Sequence, residues 1–245
     1  MTTPALAQNV RGKGRHYANP QTGDMVPSVT NVISILDKPA LPRWAAKMVA
    51  EAAYRMRHSL AEMEQNEAVD MLKGSPWSKS KRAADRGTDI HGYLEALLND
   101  WEVEELSADA EPYRDAADAW VLSHDIEVIE TEVTLFHPLY AGTADFVARV
   151  DGKLTIGDFK TSKAIYPEAA LQLAALFGCG VDQHGDPAPW RDAEGEVTEV
   201  PDLLVVRIGE DGWEEKRVAD PLGSLRTFFS LLDAWNWKHA KAYAE

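Results

Sequence analysis

One cysteine, Cys179, stands in a chain of 245 residues. A single thiol closes no internal disulfide and cannot build a cysteine-only metal cluster. Between Gly178 and Gly180 it reads as a small buried hydrophobe. Long apolar runs are also missing. No stretch approaches the ~20 residues a membrane-spanning helix needs, and the opening MTTPALAQNVRGKGR has no apolar segment of the kind that directs secretion. The expectation is an intracellular, cytoplasmic protein in a reducing compartment, with no membrane partner. No GxxxxGK[ST] motif occurs, so no nucleotide cofactor is expected. Basic residues are scarce: 25 Lys and Arg face 40 Asp and Glu, a net charge of −15. That balance speaks against a polyanionic partner, but it is unevenly spread. Residues 1–100 carry 13 basic and 11 acidic side chains, whereas 101–245 carry 12 and 29. A nucleic acid would have to approach through the N-terminal part. The acidic remainder reads equally well as plain solvated surface.

The hydrophobic pattern changes once along the chain. RHYANPQTGDMVPSV reads as two short strands around an NPQTG turn, with disorder expected over 1–12. Ser28 or Thr30 can cap a helix over NVISILD that stops before Pro39. Residues 42–72 predict a long helix, KGSPW a break, and Ser78 to about Trp101 a second helix. A third is expected over 109–124. Then EVIETEVTLF, AGTADFVARV and KLTIGDFKT read as consecutive strands, PEAALQLAALFG as a helix opening at Pro167, PDLLVVRIG and WEEKRVA as a hairpin, and 221–244 as a closing helix. The polar segment 182–199 predicts an exposed loop. The fold class is α/β of the mixed α+β kind.

Two strand positions carry the chemistry. Asp145 and Asp158 lie on strands joined by an Asp151-Gly152 turn, and neighbouring strands ~4.8 Å apart can bring both carboxylates to one ion. Hard oxygen donors of this kind suit Mg²⁺ or Mn²⁺. Lys160, two residues beyond Asp158, shares its face of the strand and can hold or activate an attacking water and offset charge on a phosphate. The same spacing suits a buried Asp–Lys salt bridge, and spacing alone does not choose between them. His91 lies on a helix with Glu95 one turn later; a lone helix histidine is more often an ordinary core or surface residue, but as a ligand its neutral imidazole shifts metal preference towards Mn²⁺. Gln172, amid ALQLAALF, has to find a polar partner, either in the site or at the solvent edge of its helix.

RGTDIH, GTADF, IGDFKTSK and the following glutamine occur in the order found in RecB-like nucleases of the PD-(D/E)xK superfamily, which the chain resembles over roughly residues 15–180. PSVTNVISILDKPALPRWA is similar to the opening of the phage-encoded and mitochondrial-type exonucleases of that group. The resemblance implies a restriction-endonuclease-like core, a central mixed β-sheet flanked by helices with an N-terminal helical region. Residues 1–125 would form the hairpin and helical region carrying His91, and 126–245 the nuclease core, in one integrated globular unit. It implies His91, Asp145, Asp158 and the Phe159 backbone carbonyl as metal ligands, and Asp145, Asp158, Lys160 and Gln172 as catalytic residues. Glu95 and Tyr166 are candidates for support behind them. The family glutamine is often followed four residues later by tyrosine; here that position is Leu176. A single cysteine excludes the iron–sulfur cluster of some members.

The densest basic stretch, SPWSKSKRAADRG, offers Lys79, Lys81, Arg82 and Arg86 to phosphates and Trp77 to a base. It reads equally well as a solvated helix start with an ordinary buried Trp. The expected activity is a Mg²⁺- or Mn²⁺-dependent DNA exonuclease in phage or prophage recombination, repair or replication, partnered by DNA ends and a single-strand annealing or recombination protein. The alternatives are a structure-specific or flap endonuclease with the same site, a non-catalytic DNA-end-binding recombination protein, and an acidic DNA mimic.

Overall fold

The computed structural model describes residues 7–240. Contacts divide the chain into two compact units, one of Met1–Leu36 with Asp89–Glu245 and one of Asp37–Thr88. The larger unit holds two sheets. Strands β1 (Ala7–Val10), β2 (Gly14–Ala18) and β3 (Met25–Pro27) form an antiparallel three-stranded sheet. Residues 7–10, expected to be disordered, pair with β2 because Gly12 and Gly14 take positive φ values of 76° and 75° and turn the chain back. The expected disorder of residues 1–6 lies outside the described residues. Helix α1 (Val29–Ile33) is capped by Ser28, whose side chain accepts from the Asn31 amide.

The main sheet has the order β7-β4-β5-β6-β8-β9. Strands β4 (Ile126–His137), β5 (Tyr140–Val150) and β6 (Lys153–Lys160) form an antiparallel meander. The β5–β6 turn uses Asp151 and Gly152 at φ 51° and 80°, the primed geometry an Asp-Gly pair favours. Helix α6 (Glu168–Phe177) crosses over to β8 (Asp202–Gly209), which pairs in parallel with β6, and β9 (Gly212–Arg217) closes a hairpin. β7 (Val181–Asp182) is a short edge on β4. The sheet is therefore mixed, as expected.

Each face of the sheet buries its own core. Val133, Leu135, Ala144, Ile156, Leu203 and Val205 pack with α1, α6 and α7 (Pro221–His239) on one face. Phe146, Phe159, Leu204 and Val206 pack on the other with α5 (Arg114–Leu122) and with Ile90, Tyr93 and Leu94. The expected loop 182–199 is not wholly exposed. Trp190 is fully buried and donates its indole N–H to the Phe177 carbonyl at 3.1 Å, which pins the segment against α6.

The smaller unit contains α2 (Ala40–Arg55), α3 (Arg57–Leu60) and the first part of α4 (Gln65–Leu98). The expected break at KGSPW does not occur; α4 runs through Pro76. Pro76 has no N–H for the Leu72 carbonyl, and the Ser75 hydroxyl donates to that carbonyl at 2.6 Å instead. The interruption falls at 61–64, which has no glycine or proline to mark it.

Gly157 has a steric role beside the site. A Cβ there would lie 1.9 Å from Phe146 Cζ. Phe146 is fully buried and in ring contact with Trp120 and Phe159. Gly157→Ala is expected to destabilise the protein by roughly 1–3 kcal/mol, read as a lower urea midpoint at unchanged m. An unchanged midpoint would show that the aromatic cluster yields freely.

Candidate active site

The site begins where two strands part. The last registered pair between β5 and β6 is Phe146↔Gly157, so Asp145 and Asp158 stand one residue beyond the end of that ladder. Strand β6 continues against β8 through Asp158↔Val205, Phe159↔Val206 and Lys160↔Arg207. The Phe159 amide, left without a β5 carbonyl, donates to Asp145 Oδ2 at 2.5 Å. Phe159 thus enters the site through its N–H.

Asp158 faces α6. Its side chain is 2% exposed, and Lys160 Nζ lies 2.8 Å from Oδ1 and 2.6 Å from Oδ2. Gln172, on α6, donates to Asp158 Oδ1 at 2.7 Å and accepts from Lys160 Nζ at 3.2 Å. The polar glutamine in an apolar helix is thereby explained. It closes a triangle whose other corners are the aspartate and the lysine.

Asp145 faces α4. His91 Nδ1 lies 3.4 Å from Asp145 Oδ2, with both side chains 12% exposed. A third group, absent from the sequence reading, joins them: ligand atoms of His91, Glu132 and Asp145 all lie within 4.8 Å of one another. The pairs Thr131↔Phe146 and Val133↔Ala144 set Glu132 opposite Asp145. Glu132 also has φ 49°, a left-handed conformation that costs a non-glycine residue roughly 1–2 kcal/mol. A signal for it was present. Counting back from the two-residue turn between His137 and Tyr140 pairs residue 132 with residue 145.

Burial and mutual charge set the protonation states. Burial pushes Glu132 up to about 7, reinforced by the Asp145 charge. Burial also raises Asp158, and Asp145 adds to this against the opposing Lys160 ammonium. For Asp145 burial acts upward too, but His91, Lys160 and the Phe159 amide outweigh it and its pKa is lowered. His91 and Lys160 are raised, because the carboxylates outweigh a burial that works the other way.

His91, Glu132, Asp145, Asp158, Lys160 and Gln172 line one cavity of about 140 Å³. Glu95 is half-buried and receives a 3.3 Å hydrogen bond from Thr131, next to Glu132. Tyr166 is 56% exposed and does not line the cavity. Trp77 is 77% exposed, which removes the buried-Trp reading. Lys79, Lys81 and Arg82 are exposed, Arg86 is half-buried, and Lys81 pairs with Asp85 at 2.9 Å.

The donor set fits a divalent cation. His91 Nδ1 and Asp158 Oδ2 are buried and make no hydrogen bond of good geometry, only ion contacts, and three carboxylates share the cavity with one imidazole. Saturating Mn²⁺ should therefore raise the thermal midpoint by roughly 5–10 °C at about a hundred times its Kd. His91→Ala and Glu132→Gln should each reduce that rise. An identical rise in both variants would place the cation elsewhere.

No family model matches the sequence, and no curated protein matches it. Among solved structures, the crystal structure of SSO0001 is 19% identical, with a TM-score of 0.30, covering 63% of this chain and 75% of that one. An alkaline exonuclease (LHK-Exo) from Laribacter hongkongensis is 14% identical, with a TM-score of 0.29, covering 65% and 86%. At these TM-scores neither likeness carries weight for the site, which stands on its own geometry.

Proposed function

We propose that this chain is a Mg²⁺- or Mn²⁺-dependent deoxyribonuclease of the RecB-like PD-(D/E)xK type that works from DNA ends, in phage or prophage recombination, repair or replication. The observation that supports this reading is the convergence of His91, Asp145, Asp158, Lys160 and Gln172 on one cavity from α4, β5, β6 and α6. A bound divalent ion would supply Lewis-acid polarisation of the scissile phosphate and a more acidic attacking water. His91, Glu132 and Asp145, whose donor atoms lie within 4.8 Å of one another, would hold it, with Asp158 as the further carboxylate facing the same cavity. The Phe159 amide fixes which way Asp145 points. Lys160, protonated and 31% exposed, sets positive charge beside the phosphate as negative charge builds there. Gln172 holds Lys160 and Asp158 in register. Water adds to phosphorus, the bond to the 3′ oxygen breaks, and a proton ends on that oxygen. The products are a 3′-hydroxyl and a 5′-phosphate.

Asp145→Ala and Asp158→Ala should each abolish cleavage, and Lys160→Ala should lower the rate at least ~100-fold. End-labelled linear DNA and circular single strands, incubated with Mg²⁺, Mn²⁺ or EDTA, test the reading. Cleavage of the circle at the linear rate turns the assignment to an endonuclease, and full activity in either aspartate variant removes the site.

DNA is the polyanion that the charge distribution accommodates. The smaller unit carries 10 Lys and Arg against 7 Asp and Glu, in a chain whose net charge is −15. Residues 77–85 of α4 are all exposed, including Trp77, Lys79, Lys81 and Arg82. Replacing Lys79, Lys81 and Arg82 with alanine should weaken binding and flatten its log–log salt dependence by about 0.7 per lost single-strand phosphate contact. The rate at saturating DNA should change far less. Coincident slopes would show that the cluster is only a solvated helix face.

A further inference from the structure

Arg207 stands next to Lys160. The two are register partners on parallel strands, Lys160 on β6 and Arg207 on β8, so their side chains leave the same face of the sheet. Arg207 does not line the cavity. Its side chain is 12% exposed, and its donors are turned to two groups outside the cavity. Nη2 donates to Asp211 Oδ1 at 2.6 Å, and Nε donates to the Ser162 carbonyl at 3.1 Å.

The first contact fixes the guanidinium. Asp211 sits in the β8–β9 turn, between the paired Gly209 and Gly212. A Cβ on Gly209 would fall on Asp211 Oδ1 and Arg207 Nη2, so the missing side chain leaves room for the ion pair. The second contact holds the chain that leaves the site. Residues 161–167 connect Lys160, the last paired residue of β6, to α6, which carries Gln172. The Ser162 hydroxyl donates within this segment, to the Ala164 carbonyl at 2.7 Å, and Ile165 packs against the core. Among the described residues, Arg207 makes the one side-chain hydrogen bond that joins the segment to another strand or helix. An apolar contact sets how deep the segment lies. A hydrogen bond from a planar guanidinium, itself held by Asp211, sets where a carbonyl points.

We propose that Arg207 is a positioning residue for Lys160: by holding the Ser162 carbonyl it fixes where the chain leaves β6, and with it the ammonium that meets Asp158 and Gln172. The inference rests on the nuclease reading above and extends it to a residue outside the cavity. Lys160 Nζ has Asp158 Oδ2 at 2.6 Å and Gln172 Oε1 at 3.2 Å, a geometry with little slack. A displacement of about 1 Å at a group of this kind costs on the order of 100-fold in rate.

The test uses the full chain and two readouts. One is kcat and KM on end-labelled linear DNA with Mg²⁺ or Mn²⁺. The other is the Lys160 Cε resonance in metal-free protein carrying ¹³C-labelled lysine, assigned by its loss in Lys160→Ala. Arg207→Met removes both contacts. It should lower kcat roughly 10-fold to 100-fold, leave KM within about threefold, and shift the Lys160 resonance. Arg207→Lys keeps a donor for one of the two partners and should recover part of kcat and of the resonance position. A lower thermal midpoint with kcat and the resonance unchanged would show a merely structural arginine and overturn the proposal. A raised KM at unchanged kcat would show a contact to DNA and overturn it as well. Should Arg207→Met fail to fold, Asp211→Asn alters a side chain that is 73% exposed and loosens the guanidinium. It should lower kcat about twofold to tenfold and move the same resonance, and no change in either overturns the proposal. Absence of product from the unaltered protein with either metal sinks the nuclease reading instead, and the Lys160 resonance then decides alone whether Arg207 positions the ammonium.

Discussion

Everything at this site depends on the place where β5 and β6 stop pairing. Beyond Phe146↔Gly157 the ladder has no further rung, and Asp145 supplies the acceptor that the Phe159 amide would otherwise lack. A carboxylate so placed is buried at the edge of a core, an expensive position for a charge unless it is compensated. Compensation arrives from three directions: the amide on β6, the imidazole on α4 and the ammonium of Lys160. The cores on either face of the sheet fix these directions. Phe146 and Phe159 lock one face against Trp120, and Leu173, Ala174 and Leu176 lock α6 to the other. The cores are therefore what hold the polar groups within contact distance.

The legible part of the fold was the part written in short-range rules. The Asp-Gly turn, the Ser28 cap, the strands of the meander and the Pro167 helix start are each decided by a few adjacent residues. At two places a single side chain overrode the local signal. Ser75 compensates for Pro76, and Trp190 draws a polar segment into the core. The candidate site divided along the same line. Asp145, Asp158 and Lys160 announce themselves by spacing on two strands. Glu132 announces itself only through the register of a hairpin, a longer-range quantity, and its left-handed backbone cannot be read from residue types at all.

The salt-bridge and catalytic readings of Asp158 and Lys160 are not true rivals. Lys160 does hold both oxygens of Asp158, and Gln172 joins them. A pair kept only for stability is often replaceable by well-packed apolar residues at little loss. This one keeps its ammonium partly open to the cavity, beside a histidine and two further carboxylates. Such an arrangement stores unfavourable electrostatics that a cation relieves, as does the left-handed backbone held at Glu132.

On the nuclease reading, a site this acidic has to receive a polyanion, and its own charge works against that. Outside the smaller unit, acidic residues outnumber basic ones by 18. Screening at physiological salt acts over roughly 8 Å, so distant surface acid is muted while carboxylates inside the cavity are not. The local charge therefore decides entry. With the cavity lacking a divalent ion, three carboxylates oppose a phosphate, and the His91 and Lys160 side chains that could favour it are already engaged with Asp145 and Asp158. A divalent ion would shift that balance towards the phosphate. On the nuclease reading, metal and DNA would bind cooperatively, each lowering the electrostatic cost of the other.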